Sequence, residues 1–189
     1  MSDTIGQDMG QNITLRADGG NQYSYGARGL KPKRVSATLT RPGDTSQYAA
    51  GDQVADSTSA PTAIEFANIV PAAAEGCIIT DAKCVDSFNQ ATKPNMRLYL
   101  FGGTAAPTPN NDNANWAPSD ADMQNSFACL EFSAWEIGGT TVGTGGNCAS
   151  YIRNLGITVE AGAAVSSIWG LAVERGTYTP GSAESWKFT

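Results

Sequence analysis

The chain has 189 residues, of which 41% are hydrophobic, with 12 Lys and Arg, 18 Asp and Glu, no His and a net charge of −6. Without histidine there is no Ser-His-Asp or Cys-His triad and no mixed Cys/His zinc site, so we expect neither an enzyme nor a bound cofactor. The acidic charge argues against a nucleic-acid partner, and the lack of an apolar run suited to a membrane span or a signal peptide predicts a soluble chain without a membrane partner.

The N-terminal end differs from the rest of the chain. Up to Arg41, six basic and three acidic side chains give about +3, whereas the remainder carries six basic and fifteen acidic side chains, about −9. Residues 1–33 are polar and Gly-rich without a lasting period, which predicts an extended N-terminal arm, or alternatively a disordered tail. Tyr and Arg contribute strongly to interfaces, so we predict that aromatic and basic residues of this region contact a partner. They are Tyr23, Tyr25, Arg28, Lys31, Lys33 and Arg34.

Residues 34–189 have the pattern of a β-protein. Short segments of alternating apolar residues recur between clusters of Gly, Pro, Asn and Asp, and no long helical stripe is present. Residues 45–50 and 118–125 are each long enough for a turn or two of helix. The predicted strands, about eight in number, cover residues 35–39, 63–70, 77–85, 96–101, 126–132, 151–159, 167–174 and 185–189.

Many short strands without interleaved helices predict an all-β fold, a jelly-roll-like β-sandwich of about eight strands. The chain would then consist of an arm over residues 1–33 and a sandwich domain over residues 34–189. An immunoglobulin-like sandwich of seven strands is the alternative, but the sequence lacks a convincing Cys…Trp…Cys spacing.

Three features of the sequence are candidates for a chemical site: the cysteines, an Asn- and Asp-rich segment and a Gly-rich segment. Cys77, Cys84, Cys129 and Cys148 have no zinc or redox spacing, so we expect free, mostly buried thiols; a disulfide of Cys129 with Cys84 or with Cys148 is the open alternative. The segment from Asn110 to Asn113, with Asp120 and Asp122, offers oxygen ligands for calcium but is more typical of turns. The Gly-rich segment 138–146 lacks the Lys-Ser/Thr of a phosphate-binding loop.

Residues 40–56, TRPGDTSQYAAGDQVAD, resemble a segment of tailed-phage virion proteins. Four later parts of the chain follow in a similar order, so the resemblance extends from about residue 34 to the C-terminus. They are residues 98–101, the Pro107-Thr-Pro loop, residues 169–173 and residues 178–184. It implies a head cement or decoration protein: a jelly roll, a homotrimer, and a location on the outside of the phage head in the virion. The implied partners are the major capsid protein and further copies of this chain.

The segment also has a physical interpretation. Arg41-Pro42 ends the first strand because proline removes a backbone donor and restricts the preceding residue. Asp44 caps the following turn, Tyr48 supplies an aromatic ring for packing, and Gly51-Asp52 makes the return bend. We therefore favour a corner that defines the fold over direct contact with a partner at this segment.

Two other functions remain open. A tail- or fibre-associated sandwich would bind a host glycan through a stacking surface formed by Trp116, Trp135 and Tyr151. A hydrolase would use a pair of carboxylates drawn from the acidic residues on or near strands. Those residues are Glu131, Glu136, Glu160 and Glu174.

Overall fold

The computed structural model describes residues 33–70, 76–138, 146–160 and 165–189, together with the backbone of 12–16 and 22–26. The chain divides into two units, Met1–Arg34 and Val35–Thr189. In the first unit, β1 (Asn12–Arg16) and β2 (Gln22–Gly26) form an antiparallel pair. The sequence analysis predicted no strand in this region, because five residues are too few to establish a lasting alternation.

The described part of the second unit contains twelve strands and one short helix, α1 (Asp120–Gln124). The strands are β3 (Ala37–Thr40), β4 (Gln53–Val54), β5 (Ile64–Phe66), β6 (Gly76–Ile79), β7 (Ala82–Asp86), β8 (Met96–Phe101), β9 (Ser126–Phe132), β10 (Trp135–Ile137), β11 (Cys148–Ile152), β12 (Ile157–Glu160), β13 (Ile168–Glu174) and β14 (Ser185–Phe188).

The strands form two five-stranded sheets and one small pair, all antiparallel. The first sheet has the order β10-β11-β7-β14-β3. The second has the order β4-β13-β8-β9, and β5 pairs with β13 beside β4. A separate pair joins β6 to β12. The chain passes repeatedly from one sheet to the other. The first sheet contains β3, β7, β10, β11 and β14, and the second contains β4, β5, β8, β9 and β13.

The two sheets share one hydrophobic core. Alternate residues of each strand point inward, as in β14, where Trp186 and Phe188 are buried and Lys187 between them is exposed. Leu98 and Phe132 contribute to the same core from the second sheet. The rings of Phe132 and Phe188 lie with centroids 5.8 Å apart, one from each sheet. The predicted all-β sandwich is therefore confirmed.

The predicted strand boundaries fail where one apolar run bends. The predicted strand at 77–85 is two strands, β6 and β7, and that at 151–159 is likewise two, β11 and β12. At the bend, the backbone N–H of Leu155 donates to the carbonyl of Thr80 (2.7 Å), and Asn154 has a φ of 57°. Asn tolerates this left-handed conformation better than most residues. The helical turn within 118–125 is confirmed as α1, whereas residues 45–50 form no helix.

Gly170 lies where the second sheet packs most tightly. A Cβ at this position would lie 2.8 Å from Leu98 Cδ1 and 3.2 Å from Phe66 Cε2, and both of these neighbours are buried. We predict that Gly170→Ala lowers the free energy of unfolding by about 1–3 kcal/mol, because the extra methyl group overpacks the core. Urea unfolding followed by tryptophan fluorescence measures this. Gly156→Ala is the matched control, since its Cβ would meet no heavy atom within 4 Å. Equal stability of the two variants would contradict the packing.

Candidate functional site

The predicted partner-binding residues fall in differently described parts of the chain. Tyr23 and Tyr25 lie in β2, opposite Leu15 and Ile13 of β1. Arg28 and Lys31 lie outside the described residues. The remaining two predicted contacts, Lys33 and Arg34, are exposed just before the sandwich begins.

The segment that carries the family resemblance forms a buried polar corner around Arg41. Arg41 is 2% exposed, although its guanidinium is charged. Its Nε donates to the hydroxyl of Tyr48 (2.9 Å), and its Nη2 donates to Asp44 Oδ1 (2.9 Å) and Asp112 Oδ2 (3.2 Å). Its Nη1 donates to the carbonyl of Asp44. The corner residues are thus Arg41, Asp44, Tyr48 and Asp112.

Asp112 joins this corner from the segment that the sequence analysis considered for calcium. Its Oδ1 accepts from the hydroxyl of Tyr48 (2.6 Å) and from the backbone N–H of Ala55 (2.9 Å). Asn110 Oδ1 accepts from the backbone N–H of Ala117, seven residues along the chain (3.0 Å), so it stabilises the same loop. Both carboxylate oxygens of Asp112 are therefore used within the protein, and the described residues contain no group of metal-binding side chains.

The charges at the corner stabilise one another. Burial opposes the charge of Arg41, but hydrogen bonds to Tyr48 and Asp44 and the charge of Asp112 outweigh it and raise the pKa of Arg41. Hydrogen bonds lower the pKa of Asp44 to about 2, with the largest effect from the backbone N–H of Ser46 and the next from the side chain of Arg41. Burial raises the pKa of Tyr48, and its hydrogen bond to Asp112 adds to this effect. The hydroxyl of Tyr48 therefore stays protonated and donates a hydrogen bond to Asp112.

The predicted roles of the segment are confirmed. Asp44 Oδ1 accepts from the N–H of Ser46 (2.8 Å), Tyr48 is fully buried, and Gly51 has a φ of 101° at the return bend. The backbone of Tyr48 also pairs with that of Tyr178, with Tyr48 N–H donating at 2.8 Å. The corner therefore ties the end of β3 to distant loops, which is a structural role.

We predict that Asp112→Ala lowers the free energy of unfolding by about 3–5 kcal/mol, because it leaves Arg41 buried without its fully buried partner. Guanidinium chloride unfolding measures the change. Glu131→Ala is the control: it also removes an Arg–carboxylate pair, with Arg97 at 2.9 Å, but those side chains are 36% and 46% exposed. We expect a loss below about 1 kcal/mol there. Similar losses of unfolding free energy in the two variants would show that the buried pair contributes no more to stability than the exposed one.

A second buried cluster contains two acids. Asp86 and Glu184 are both 0% exposed. Glu184 Oε1 accepts from the hydroxyl of Tyr178 (2.5 Å), and Asp86 Oδ1 accepts from the N–H of Phe88 (2.8 Å). Burial, followed by the hydrogen bond and charge of Glu184, raises the pKa of Asp86 to about 9. Asp86 therefore holds a proton at neutral pH and donates it in a hydrogen bond to Glu184.

This cluster predicts that stability falls with rising pH. The folded-state pKa of Asp86 is raised, so its contribution is complete below the unfolded value near 3.8 and is lost as pH rises towards about 9. We expect Asp86→Asn, which keeps a donor towards Glu184 without the titration, to flatten the decline of melting temperature between acidic and alkaline pH. The control is Asp81→Asn, at an exposed aspartate just before the same strand. Parallel curves of melting temperature against pH for wild type and Asp86→Asn would contradict the raised pKa of Asp86.

Three of the carboxylates considered for hydrolysis lie in different surroundings. Glu131 pairs with Arg97 on the outer face of the second sheet, and Glu136 is exposed on β10 of the first sheet. Glu174 is buried, and its Oε1 accepts from the backbone N–H of Asn95 (2.8 Å). Burial raises the pKa of Glu174 to about 7. The side chain of Glu160 lies outside the described residues.

The three aromatic residues considered for glycan stacking face different surroundings. Trp135 and Tyr151 lie on neighbouring strands, but Trp135 is paired with buried Ser150 and packs against the core, whereas Tyr151 faces outward. Trp116 stacks on Tyr99 of the second sheet, with ring centroids 4.2 Å apart. Trp135 is half-buried and its Nε1 donates to the carbonyl of Pro94 (2.7 Å). Tyr151, on β11 of the first sheet, is 40% exposed. These rings do not form one stacking surface.

Cys84, Cys129 and Cys148 are free thiols, as predicted. Cys84 and Cys148 are buried, Cys77 is partly buried and Cys129 is exposed. Burial raises the pKa of the Cys84 thiol, so it remains protonated. The Gly-rich segment 138–146 lies largely outside the described residues.

The sequence analysis missed one surface, a group of basic residues around Tyr151. The ammonium of Lys83 lies 5.3 Å and the guanidinium of Arg153 5.6 Å from the centroid of the Tyr151 ring. Lys83 and Tyr151 are paired across β7 and β11. Nothing in the sequence links Lys83 to Tyr151, which are 68 residues apart; only the pairing of their strands does.

A shallow groove lies between the edges of the two sheets, beside β3 and β5. Its volume is about 240 Å³, and its rim includes Asp56 and Glu65. Asp56 accepts from the backbone N–H of Thr62 (2.8 Å), and Glu65 accepts from the hydroxyl of Ser167 (2.8 Å).

No helix among the described residues has the length and apolar character needed to cross a membrane. Comparisons with protein-family models, with curated proteins and with solved structures gave no match.

Proposed function

We propose that this chain is a structural virion protein that binds the outside of a phage capsid and cements adjacent major capsid subunits. The observation that carries the proposal is the corner around Arg41. The segment that resembles tailed-phage virion proteins supplies three of its four side chains: Arg41, Asp44 and Tyr48. A resemblance that rests on residues defining a fold is better support for a shared fold than one that rests on surface residues.

We further propose that the sandwich is a jelly roll. The strand order supports this, because the chain alternates between the sheets and its last strand, β14, inserts between β3 and β7 of the first sheet. The second sheet is built in the same way: β13 inserts between β4 or β5 and β8. Such interleaving of late strands between early ones is what two nested Greek keys produce.

The mechanism is burial of surface against several capsid subunits at once. Residues 1–33 carry four basic against three acidic side chains, and Arg34 follows directly, so the arm and its junction with the sandwich would meet acidic groups on the capsid. Lys33 and Arg34 lie exposed at the entry to the sandwich, which suits this role. If the protein assembles as a homotrimer, three arms bind together, and weak single contacts give durable attachment.

The test uses phage heads that lack this protein. Purified full-length protein is added, and the copies retained per major capsid subunit are counted on gels and located by electron microscopy. We expect wild type to cover the head exterior, and reversal of Arg28, Lys31, Lys33 and Arg34 to Glu to weaken binding at least about tenfold, because the arm then repels an acidic surface.

The control is Arg175→Glu, which changes an exposed charge on the sandwich. It should bind as wild type does. Absence of wild-type protein from heads, or its location on tails alone, would overturn the cement proposal. Full coverage by the arm variant would remove the arm from the mechanism.

A further inference from the structure

The connection between β7 and β8 brings a lysine amine against a buried asparagine. It covers residues 87–95 and leads from the first sheet to the second. The amine of Lys93 donates to the side-chain carbonyl oxygen of Asn89, Oδ1, and to the backbone carbonyl of Gln90 (2.6 Å). Asn89 is only 1% exposed, so its side-chain amide is closed to bulk water. A primary amine and a buried primary amide therefore lie in direct contact.

This contact places the amine close to the amide carbon. Nζ of Lys93 contacts Oδ1 of Asn89, and a C=O bond is only about 1.2 Å long, so Nζ and Cγ lie near van der Waals contact. Reacting atoms held about 3–3.5 Å apart are in the range of a near-attack arrangement. Lys93 also forms no ion pair with the carboxylates of the described residues, so no such partner holds its amine in the charged form.

A buried proton donor lies beside this contact. Asp86, the last residue of β7, is the acid nearest to Asn89 in the sequence and is fully buried. Its Oδ1 accepts from the backbone N–H of Phe88, the residue before Asn89 (2.8 Å). The thiol of Cys148 lies 3.6 Å from Asp86 Oδ2 and 3.5 Å from the carbonyl oxygen of Phe88. Burial, followed by Glu184, raises the pKa of Asp86 to about 9, so this carboxyl group holds a proton at neutral pH.

The charge of Lys93 acts on the same cluster. Burial, followed by the charge of Asp86, raises the pKa of Cys148 to about 12, and the charge of Lys93 opposes that rise. Cys148 lies opposite Asp86 in the register of β11 and β7. The amine, the amide, the thiol and the protonated carboxyl group therefore form one cluster at the end of β7.

We propose that Lys93 and Asn89 join in an intramolecular isopeptide bond, which forms in the folded protein without another reactant. Nζ of Lys93 attacks Cγ of Asn89, the bond between Cγ and Nδ2 breaks, and Nδ2 leaves as ammonia. The Lys93 ammonium loses one proton before the attack, and that proton ends on the ammonia. An ammonium side chain and a primary amide thus become a secondary amide and an ammonium ion, and nothing is oxidised or reduced.

We assign the proton transfer during this step to Asp86. Its carboxyl group gives a proton to Nδ2 as that nitrogen leaves and recovers one from Nζ as the new bond forms. Exclusion of water protects the carbonyl of Asn89 from hydrolysis, because the side chain is buried. The buried acid therefore has a chemical use in addition to its place in the core.

The bond closes a ring of five residues, Asn89 to Lys93, in the connection between the two sheets. A covalent ring persists in the unfolded chain and limits the conformations open to it, as a disulfide does. The inference does not rest on the proposed function, because the bond is detected in the purified chain without capsids.

Mass spectrometry of the full-length wild-type protein, digested with trypsin after denaturation, tests for the bond. Trypsin releases residues 84–97 as one peptide, because Lys93 is followed by Pro94 and is not cleaved. We expect this peptide to be lighter than its sequence mass by about 17 Da, the mass of the lost ammonia. Backbone fragmentation between Asn89 and Lys93 should release no separate fragments, because the side-chain bond still joins the two parts.

Substitutions identify the groups that take part. Lys93→Arg and Asn89→Ala should each restore the full sequence mass, because the first removes the attacking amine and the second removes the leaving group. Lys187→Arg is the matched control, since it changes an exposed lysine on β14 and should leave the mass deficit unchanged. Asp86→Asn should lower the cross-linked fraction at least about tenfold at the same time after purification, because the proton donor is lost.

A wild-type peptide with its full sequence mass would overturn the proposal, and this outcome does not depend on the folding of any variant. A mass deficit that persists in Lys93→Arg would also overturn it, because Asn89 then loses ammonia by closing a succinimide on the backbone nitrogen of Gln90. An undiminished cross-linked fraction in Asp86→Asn would overturn the assignment of the proton transfer to Asp86.

Discussion

The sandwich depends on one buried ion pair, between Arg41 and Asp112. Their side chains are 0% and 1% exposed, so neither charge is solvated by bulk water. A buried charge is tolerated only where its hydrogen-bonding capacity is used by the protein. Arg41 accordingly donates from Nε, Nη1 and Nη2, and Asp112 accepts on both oxygens. This requirement positions the end of β3, the turn after Pro42 and the loop around Asp112 against one another.

The same constraint extends to the second buried cluster. Tyr48 donates its hydroxyl to Asp112, and its backbone pairs with Tyr178. Tyr178 in turn donates to Glu184, which also accepts a hydrogen bond from the protonated Asp86. The first cluster balances a cation against an anion, whereas the second keeps one acid neutral. Two solutions to charge burial therefore lie on either side of one backbone bridge, and the raised pKa of Asp86 makes the second lose stability as pH rises.

The sequence predicted the fold class and the strands whose alternation is uninterrupted, such as β8 and β13. It also predicted the local geometry of residues 41–52, because Pro42, Asp44 and Gly51 act on their immediate neighbours. It could not predict which residues, distant in the sequence, come together in the fold. That Asp112 belongs with Arg41, or Tyr151 with Lys83, follows from strand pairing and loop packing, which no local pattern encodes. The bend that divides β6 from β7 lies at Thr80 and Asp81, and it was missed because apolar residues resume directly after it.

The two sheets offer different surfaces to solvent, and this difference bears on where a partner binds. In the second sheet, all seven residues of β13 are buried on both faces, and Trp116 stacks over Tyr99 on its neighbour β8. The chain's own loop therefore contributes to covering that sheet. The first sheet leaves Tyr151 and Lys187 exposed, with small residues between them. The outer face of the first sheet therefore offers the exposed side chains of Tyr151 and Lys187 to a partner.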